Sequence, residues 1–193
     1  MNIERRKEWK RMNLLIINKY YSNNPKWYHT KQHIEDLYFL YNVYKPYFKT
    51  EFPELNEEKL FTCFDFHDAV YIPGSKTNEE DSVQIYLNEG GRDKEVIDAI
   101  LSTKIGVKDF KNDLQKVLHD LDWNGFRDHV TLKKNEEKII SEAVEKGGFT
   151  EKDAIEGQMN FYRFIQDTDI YVTKTFEKFN NIVKLNIKRR LNG

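Results

Sequence analysis

The chain carries, at residues 61–71, the stretch FTCFDFHDAVY, in which His67 and Asp68 stand side by side among aromatic and apolar residues. A buried imidazole and a buried carboxylate cost free energy unless each finds a polar partner. A divalent metal ion would satisfy both. Neighbouring helix residues point about 100° apart, so both can bind one ion only if that helix wall faces the metal. The remaining ligands must then come from other helices.

Composition favours a helical domain with one core. The chain has 193 residues, of which 39% are hydrophobic and 33% charged, and we expect a single domain over residues 1–193. Thirteen Phe, eleven Tyr and three Trp predict an aromatic interior, while nine Gly and four Pro leave few obligatory turns.

Charge and cysteine usage exclude several classes. Lys plus Arg is 31 and Asp plus Glu is 32, a balance that argues against a general nucleic-acid binder or an anionic-membrane binder. The basic run 184–190 is typical of a helix C-terminus. The single Cys63 excludes an intramolecular disulfide, and the apolar stretch Met12–Ile17 is too short for a signal-peptide core. With no segment of membrane-spanning length, we expect a soluble, cytoplasmic protein.

Apolar residues recur at helical spacing along most of the chain. The groups are Ile34, Leu37, Tyr38 and Tyr41 with a flanking stripe of Leu40, Val43 and Tyr44; Leu60, Phe61 and Phe64, followed by His67; Val96, Ile97, Ile100 and Leu101; Leu114, Val117, Leu118 and Leu121; Phe161, Phe164 and Ile165; and Phe176, Phe179, Ile182 and Val183. Asn56 and Asn78 are predicted helix caps, and Thr150 with Asp153 resembles a capping box. No hairpin signal interrupts this pattern. We therefore predict an all-α bundle of roughly seven to nine helices.

Two further motifs supply partners for His67 and Asp68. Residues 28–34, YHTKQHI, place His29 and His33 four positions apart, on one helix face if the helix starts early enough. Residues 118–123, LHDLDW, place two carboxylates beside apolar residues.

The order His, His-Asp, Asp resembles the HD superfamily of metal-dependent phosphohydrolases. Residues 78–82 (NEEDS), 170–171 (IY) and 184–187 (KLNI) are similar to the corresponding parts of small HD-domain hydrolases of bacteria and phages, so the resemblance covers most of the chain. It implies an HD-domain helical bundle and one divalent transition metal (Mn, Fe, Co, Ni or Zn). The implied ligands are His33, His67, Asp68 and Asp122, with Asp120 as a competitor for the last position.

Two imidazoles and two carboxylates suit such an ion and leave positions open for water and a substrate oxygen. The ion would polarise a phosphoryl group and activate water as the nucleophile. We expect hydrolysis of a phosphoester or phosphoanhydride in a small phosphorylated metabolite, with a nucleotide favoured by the superfamily. One alternative is a di-iron HD oxygenase acting on a phosphonate; another is a non-catalytic, nucleotide-sequestering binding protein. Many relatives carry a histidine shortly after the position of Thr103, and its absence from residues 104–108 weighs against a second metal.

The acidic residues Glu79, Glu80 and Asp81 are candidate general acids or bases, because they follow the loop that leaves the His-Asp stretch. A solvated acidic first turn explains them as well.

Substrate binding is predicted for His29, Lys104 and Arg127. The competing interpretations are a histidine bonded to backbone, an exposed lysine and a surface salt bridge. Trp123, Phe126 and Phe110 could stack on a base but are expected in the aromatic core. Cys63 is expected to be a core residue, and His119 and His129 to be structural or exposed.

Overall fold

The structure is a computed structural model that describes residues 14–193. Helices account for its regular structure, and residues 14–193 contain no strand beyond an isolated bridge between Ser22 and Thr30. The all-α prediction is therefore confirmed. The elements are α1 (residues 14–20), α2 (Lys31–Glu51), α3 (Glu57–Phe66), α4 (Asn78–Asn88), α5 (Lys94–Leu101), α6 (Asp113–Asp122), a 3-10 turn (Trp123–Phe126), α7 (His129–Glu145), α8 (Glu151–Ile165), α9 (Lys174–Glu177) and α10 (Asn180–Leu191).

Within residues 14–193, no helix has both the length and the apolar character that crossing a membrane requires. Met12 and Asn13, which begin the apolar stretch Met12–Ile17, lie outside the described residues.

The centre of the fold is formed by α2, α3 and α6, which pack against one another, while α5 packs on α3 and α6. α2 turns Ile34, Leu37, Tyr41 and Phe48 into the core, as their helical spacing predicts. Val43, placed in a flanking stripe by the sequence, is exposed. A second layer consists of α7 against α8, with α10 packed on α8. The site described below lies where these two layers meet.

Two of the three predicted helix starts are confirmed. Asn56 accepts hydrogen bonds from the backbone N–H groups of Glu58 and Lys59, and Thr150 accepts one from Asp153. The Asn78 cap was wrong, because α4 starts at Asn78 itself after an N-cap at Thr77.

The Asn78 side chain fixes the preceding loop instead. It accepts a hydrogen bond from the Ile72 N–H at 2.9 Å and donates one to the Ile72 carbonyl at 3.1 Å. These paired bonds satisfy a loop peptide that has no helical partner. The loop that leaves the His-Asp stretch is therefore held against the start of α4.

The C-terminal apolar groups do not share one helix. Phe176 lies in α9, Phe179 is the N-cap of α10, and Ile182 lies within α10. Three residues of the basic run are ion-paired: Arg190 bonds Glu136, Lys184 lies 2.7 Å from Asp169, and Lys188 lies 2.9 Å from Asp167. These pairs tie α10 to the rest of the fold.

Candidate metal centre

Four side chains converge where α2 begins and where α3 and α6 end. His33 is the third residue of α2, His67 follows the last residue of α3, and Asp122 is the last residue of α6. With Asp68, they offer four donor atoms that all lie within 4.8 Å of one another. This is the one such group that residues 14–193 contain.

The donor separations are regular. His33 Nε2 lies 3.3 Å from His67 Nε2, 3.1 Å from Asp122 Oδ1 and 3.6 Å from Asp68 Oδ2. His67 Nε2 lies 3.1 Å from Asp68 Oδ2 and 3.6 Å from Asp122 Oδ1. Metal–ligand bonds of about 2.0–2.2 Å put neighbouring ligand atoms about 3 Å apart at right angles and about 3.4 Å apart at tetrahedral angles. The donor set therefore fits a single divalent ion.

His67 and Asp68 do not lie on the wall of a helix, as the sequence had suggested, but just beyond the end of α3. α3 ends at Phe66, and His67 keeps helical dihedrals as the C-cap, with its N–H bonded to the Cys63 carbonyl. Asp68 lies in the turn that follows. Leaving the helix frees the carboxylate from the 100° helical spacing. Both side chains can then approach one point.

The tautomer of His67 follows from its neighbour. Its Nδ1 lies 3.1 Å from the carbonyl oxygen of Phe64, which can only accept a hydrogen bond. Nδ1 therefore carries the proton. In a neutral His67 the lone pair of Nε2 then points to the place where the other three metal-donor atoms converge. Such a backbone bond is the usual support of a metal-binding imidazole.

The side chains of the cluster shift one another's pKa values. Burial alone would lower the pKa of His67, but the negative charges of Asp68 and Asp122 outweigh it and raise that pKa well above its ordinary value. Burial alone would raise the pKa of Asp122, yet hydrogen bonds from the two imidazoles hold it far below its usual range. A positive charge at this point is thus strongly favoured.

Asp120 does not belong to the cluster. Its carboxylate is buried and accepts hydrogen bonds from the Val172 N–H, the Thr173 N–H and the Thr173 hydroxyl, at 3.0, 2.9 and 2.6 Å. Burial raises the pKa of Asp120 to about 7. Its acceptor capacity serves the backbone of residues 172–173, which leaves Asp122 as the carboxylate that faces the histidines.

A cavity of about 280 Å³ opens beside Asp68 and Asp122. It extends between the centre of the fold and the α7–α8 layer. The other lining residues are Tyr28, His29, Tyr71, Glu79, Thr103, Ile105, Trp123, Gly125, Phe126, Leu132, Asn135, Glu136, Ile139, Gln158, Phe161 and Tyr162. A ligand here would reach both carboxylates of the cluster.

His29 lies before α2, outside the helix that holds His33, so the two histidines do not share a helix face. Its Nδ1 lies 2.8 Å from Glu142 Oε2, and its ring stacks on Tyr71 with centroids 3.3 Å apart. Burial opposes ionisation of Glu142, but the hydrogen bonds and charge of His29, together with the charge of Lys146, outweigh it and lower the carboxyl pKa. An ionised carboxylate can only accept, so His29 Nδ1 donates and Nε2 remains for the cavity.

Of the three acidic candidates, only Glu79 lines the cavity. Its side chain is half-buried, and burial raises its pKa. Glu80 is exposed and pairs with Lys104 at 2.6 Å, while exposed Asp81 accepts a hydrogen bond from the Thr77 hydroxyl. Glu80 and Asp81 lie in the acidic first turn of α4 and outside the cavity lining, and their predicted catalytic role stays a prediction.

Lys104 and Arg127 are also placed away from the cavity lining. The Lys104 ammonium is engaged by Glu80 and by the Lys76 carbonyl. Arg127 donates to the Tyr44 hydroxyl, and its guanidinium lies 4.6 Å from the ring centroid of Phe179. In this structure both side chains make contacts within the protein, and their predicted contact with substrate stays a prediction.

The aromatic candidates separate into two groups. Trp123 and Phe126 pack against the core, as expected, and also line the cavity, whereas Phe110 packs on His119 at a different surface. His119 is buried and bonds the Ile170 carbonyl through Nε2. Cys63 is buried in the core, as expected.

Sequence reasoning missed Glu142. A signal exists, because Glu142 follows Leu132, Asn135 and Ile139 at helical spacing on the face of α7 that turns inward. A carboxylate on that face needs a polar partner, and the His29 imidazole together with the Tyr28 and His29 N–H groups provides it.

Comparisons with known proteins give no family to which the chain can be assigned. No protein-family model matches it, and neither the curated proteins nor the solved structures contain a significant match. What the site can do therefore follows from its donor atoms, its charges and its cavity.

Proposed function

We propose that this chain is a metal-dependent phosphohydrolase that cleaves a phosphoester or phosphoanhydride in a small metabolite, with nucleotides as the first class to test. The observation that carries the proposal is the convergence of two imidazoles and two carboxylates at one side of a cavity. The order of motifs that resembles HD-domain hydrolases supports the same reaction class.

His33, His67, Asp68 and Asp122 would hold the ion. Their mixed nitrogen and oxygen donors suit Mn, Fe, Co, Ni or Zn, and the two carboxylates balance the charge of a divalent ion. When bound, the ion would polarise a phosphoryl oxygen and activate a water molecule. Both carboxylates are partly exposed, with side-chain exposures of 17% and 18%, so a substrate can reach this side of the cluster.

His29 is the residue best placed to contact the substrate. Glu142 fixes its ring by accepting from Nδ1, and Tyr71 supports the ring face. When both ring nitrogens carry protons, Nε2 would donate a hydrogen bond to a phosphoryl or leaving-group oxygen in the cavity. A ring that is already oriented loses little freedom when substrate binds.

Glu79 is the cavity carboxylate outside the metal donor set that has no cation within salt-bridge distance among the described residues. It would accept a proton from the attacking water, or orient that water. Its position at the start of α4 is fixed by the two hydrogen bonds between the Asn78 side chain and the Ile72 backbone.

The test is turnover by protein stripped of metal and reloaded separately with Mn, Co, Zn or Fe. A panel of nucleotides, cyclic nucleotides and simple phosphoesters is offered, and products are identified by mass spectrometry. We expect phosphoester or phosphoanhydride cleavage in at least one form loaded with Mn, Co or Zn, and its loss in Asp122→Asn. Asp113→Asn, at the exposed start of the same helix, is the matched control and should retain activity.

Two results would contradict the proposal. Turnover of a phosphonate that requires iron and oxygen would support an oxygenase instead. Stoichiometric nucleotide binding without cleavage in every metal form would support a sequestering protein.

A further inference from the structure

Carboxylates outnumber basic side chains in the described lining of the cavity. Asp68, Glu79, Asp122 and Glu136 contribute to its wall, and the described lining includes no lysine and no arginine. His29 is its one basic side chain in residues 14–193. Cavities that bind polyphosphates need several cations or backbone donors to balance the added charge.

Three basic side chains that contact cavity-lining residues or their neighbours already have partners. Arg190 forms a bidentate pair with Glu136, with Nε and Nη2 contacts of 2.6–3.0 Å. Lys104 is held by Glu80, and Lys146 lies over the rings of Trp27 and Tyr71. Turning any of them toward a ligand would break an existing contact.

A charge count limits what can bind. Two carboxylates and a divalent ion sum to zero, and His29, the one basic side chain in the described lining, already pairs with Glu142. The ring centroids of His29 and His33 lie 6.2 Å apart, so one phosphoryl group would reach both the cluster and His29. A second or third phosphate would find no further cation in the described lining, and its charge would not be balanced.

The wall beyond the phosphoryl end is aromatic. Trp123 directly follows Asp122, and its ring stacks with Phe126 at a centroid distance of 5.4 Å and lies 5.8 Å from Phe161. All three rings line the cavity, as do Asn135 of α7 and Gln158 of α8. Flat organic groups pack favourably on such surfaces.

We infer, on the basis of the proposed function, that the cavity takes compounds with a single phosphoryl group on a flat, uncharged organic group and discriminates against di- and triphosphates. The volume of about 280 Å³ lies near the lower end for small-molecule sites.

The experiment uses the full chain loaded with Mn. One series compares the mono-, di- and triphosphate of the same nucleoside; a second compares naphthyl phosphate with ribose 5-phosphate. Both kcat/KM and Kd are measured for every compound. We expect the monophosphate to exceed the triphosphate, and naphthyl phosphate to exceed ribose 5-phosphate, by at least about tenfold, or about 1.4 kcal/mol.

A lysine placed in the wall should weaken the discrimination. Asn135→Lys adds a cation to the cavity side of α7, and we expect the preference for monophosphate over triphosphate to fall at least about threefold. Val130→Lys, on the same helix at an exposed position outside the cavity lining, is the matched control and should leave the ratio unchanged. Ile139→Lys serves if Asn135→Lys does not fold.

The outcomes separate this inference from the proposed function. Triphosphates bound and cleaved as well as monophosphates would overturn the inference and leave the hydrolase intact. Tight monophosphate binding without cleavage in any metal form would support the inference and overturn the hydrolase. No binding of any compound in either series would overturn the inference.

Discussion

Asp120 and Asp122 lie two residues apart at the end of α6 but serve two different regions. Asp120 faces the segment before α9 and accepts three hydrogen bonds from Val172 and Thr173. Asp122 faces His33 and His67, with Asp68 beside them. The surroundings of Asp120 supply hydrogen-bond donors, whereas the surroundings of Asp122 consist of groups that can bind a cation.

This difference identifies which buried carboxylate has a structural role. A buried acceptor that meets backbone N–H groups is satisfied by the protein alone. Four convergent acceptors are satisfied only when a cation is added, and a proton on His67 is the cation available without a metal. The raised pKa of His67 is the expected sign of that demand.

The largest expected effect breaks the metal region. Asp68→Ala removes a ligand and its charge, so we expect metal affinity to fall by more than about 100-fold and hydrolysis to be lost. Because Asp68 lies in a turn outside α3, helicity should be retained. Elemental analysis and circular dichroism of the variant check both points; full metal occupancy with normal turnover would refute the assignment.

Replacing each aspartate at the end of α6 by asparagine should separate their two roles. Asp122→Asn should lose metal, but the free energy of unfolding of the metal-free protein should change little. Asp120→Asn should keep metal but lower the free energy of unfolding by about 2 kcal/mol, because one amide oxygen cannot serve three donors. Metal titration and urea denaturation of both proteins measure this. If Asp120→Asn were the variant that lost metal, the ligand would lie two residues upstream.

A smaller effect is expected from the support of His29. Glu142→Gln weakens the bond that fixes Nδ1, and we expect kcat/KM to fall about 10–100-fold with metal content unchanged. Glu145→Gln is the matched control on the same helix, because Glu145 bonds Trp27 away from the cavity. An equal loss in both variants, or a loss that tracks thermal stability, would argue against a positioning role.

The smallest effect tests Arg127. Arg127→Met removes cation–π contacts with Phe179 and Tyr44 and should lower the free energy of unfolding by about 1 kcal/mol. Metal content and turnover should be unchanged, because Arg127 does not line the cavity. A large rise in KM at unchanged stability would restore its interpretation as a substrate contact.

The helices could be predicted from local sequence patterns. The stripe of Ile34, Leu37 and Tyr41 follows from the 3.6-residue period, and it is buried in α2. Asn56 and Thr150 were recognisable because a cap needs only its own next few residues. The Asn78 prediction failed because its side chain serves a peptide six residues upstream.

The metal donors were recognisable by residue type and order, but their surroundings were not. Whether Asp120 or Asp122 faces the histidines depends on the rotation of α6 against its neighbours. The Glu142 bond to His29 joins residues 113 positions apart, which no local pattern encodes. The directions of Lys104 and Arg127 were likewise decided by tertiary partners.

The central claim is that His33, His67, Asp68 and Asp122 form one metal site. The direct measurement is the metal content of protein stripped of metal, reloaded and freed of excess ion, combined with anomalous scattering from a crystal of that protein. We predict one ion per chain, bound by these four side chains with solvent completing its shell. Absence of stoichiometric metal, or two ions with His29 and Glu79 among the ligands, would contradict the account.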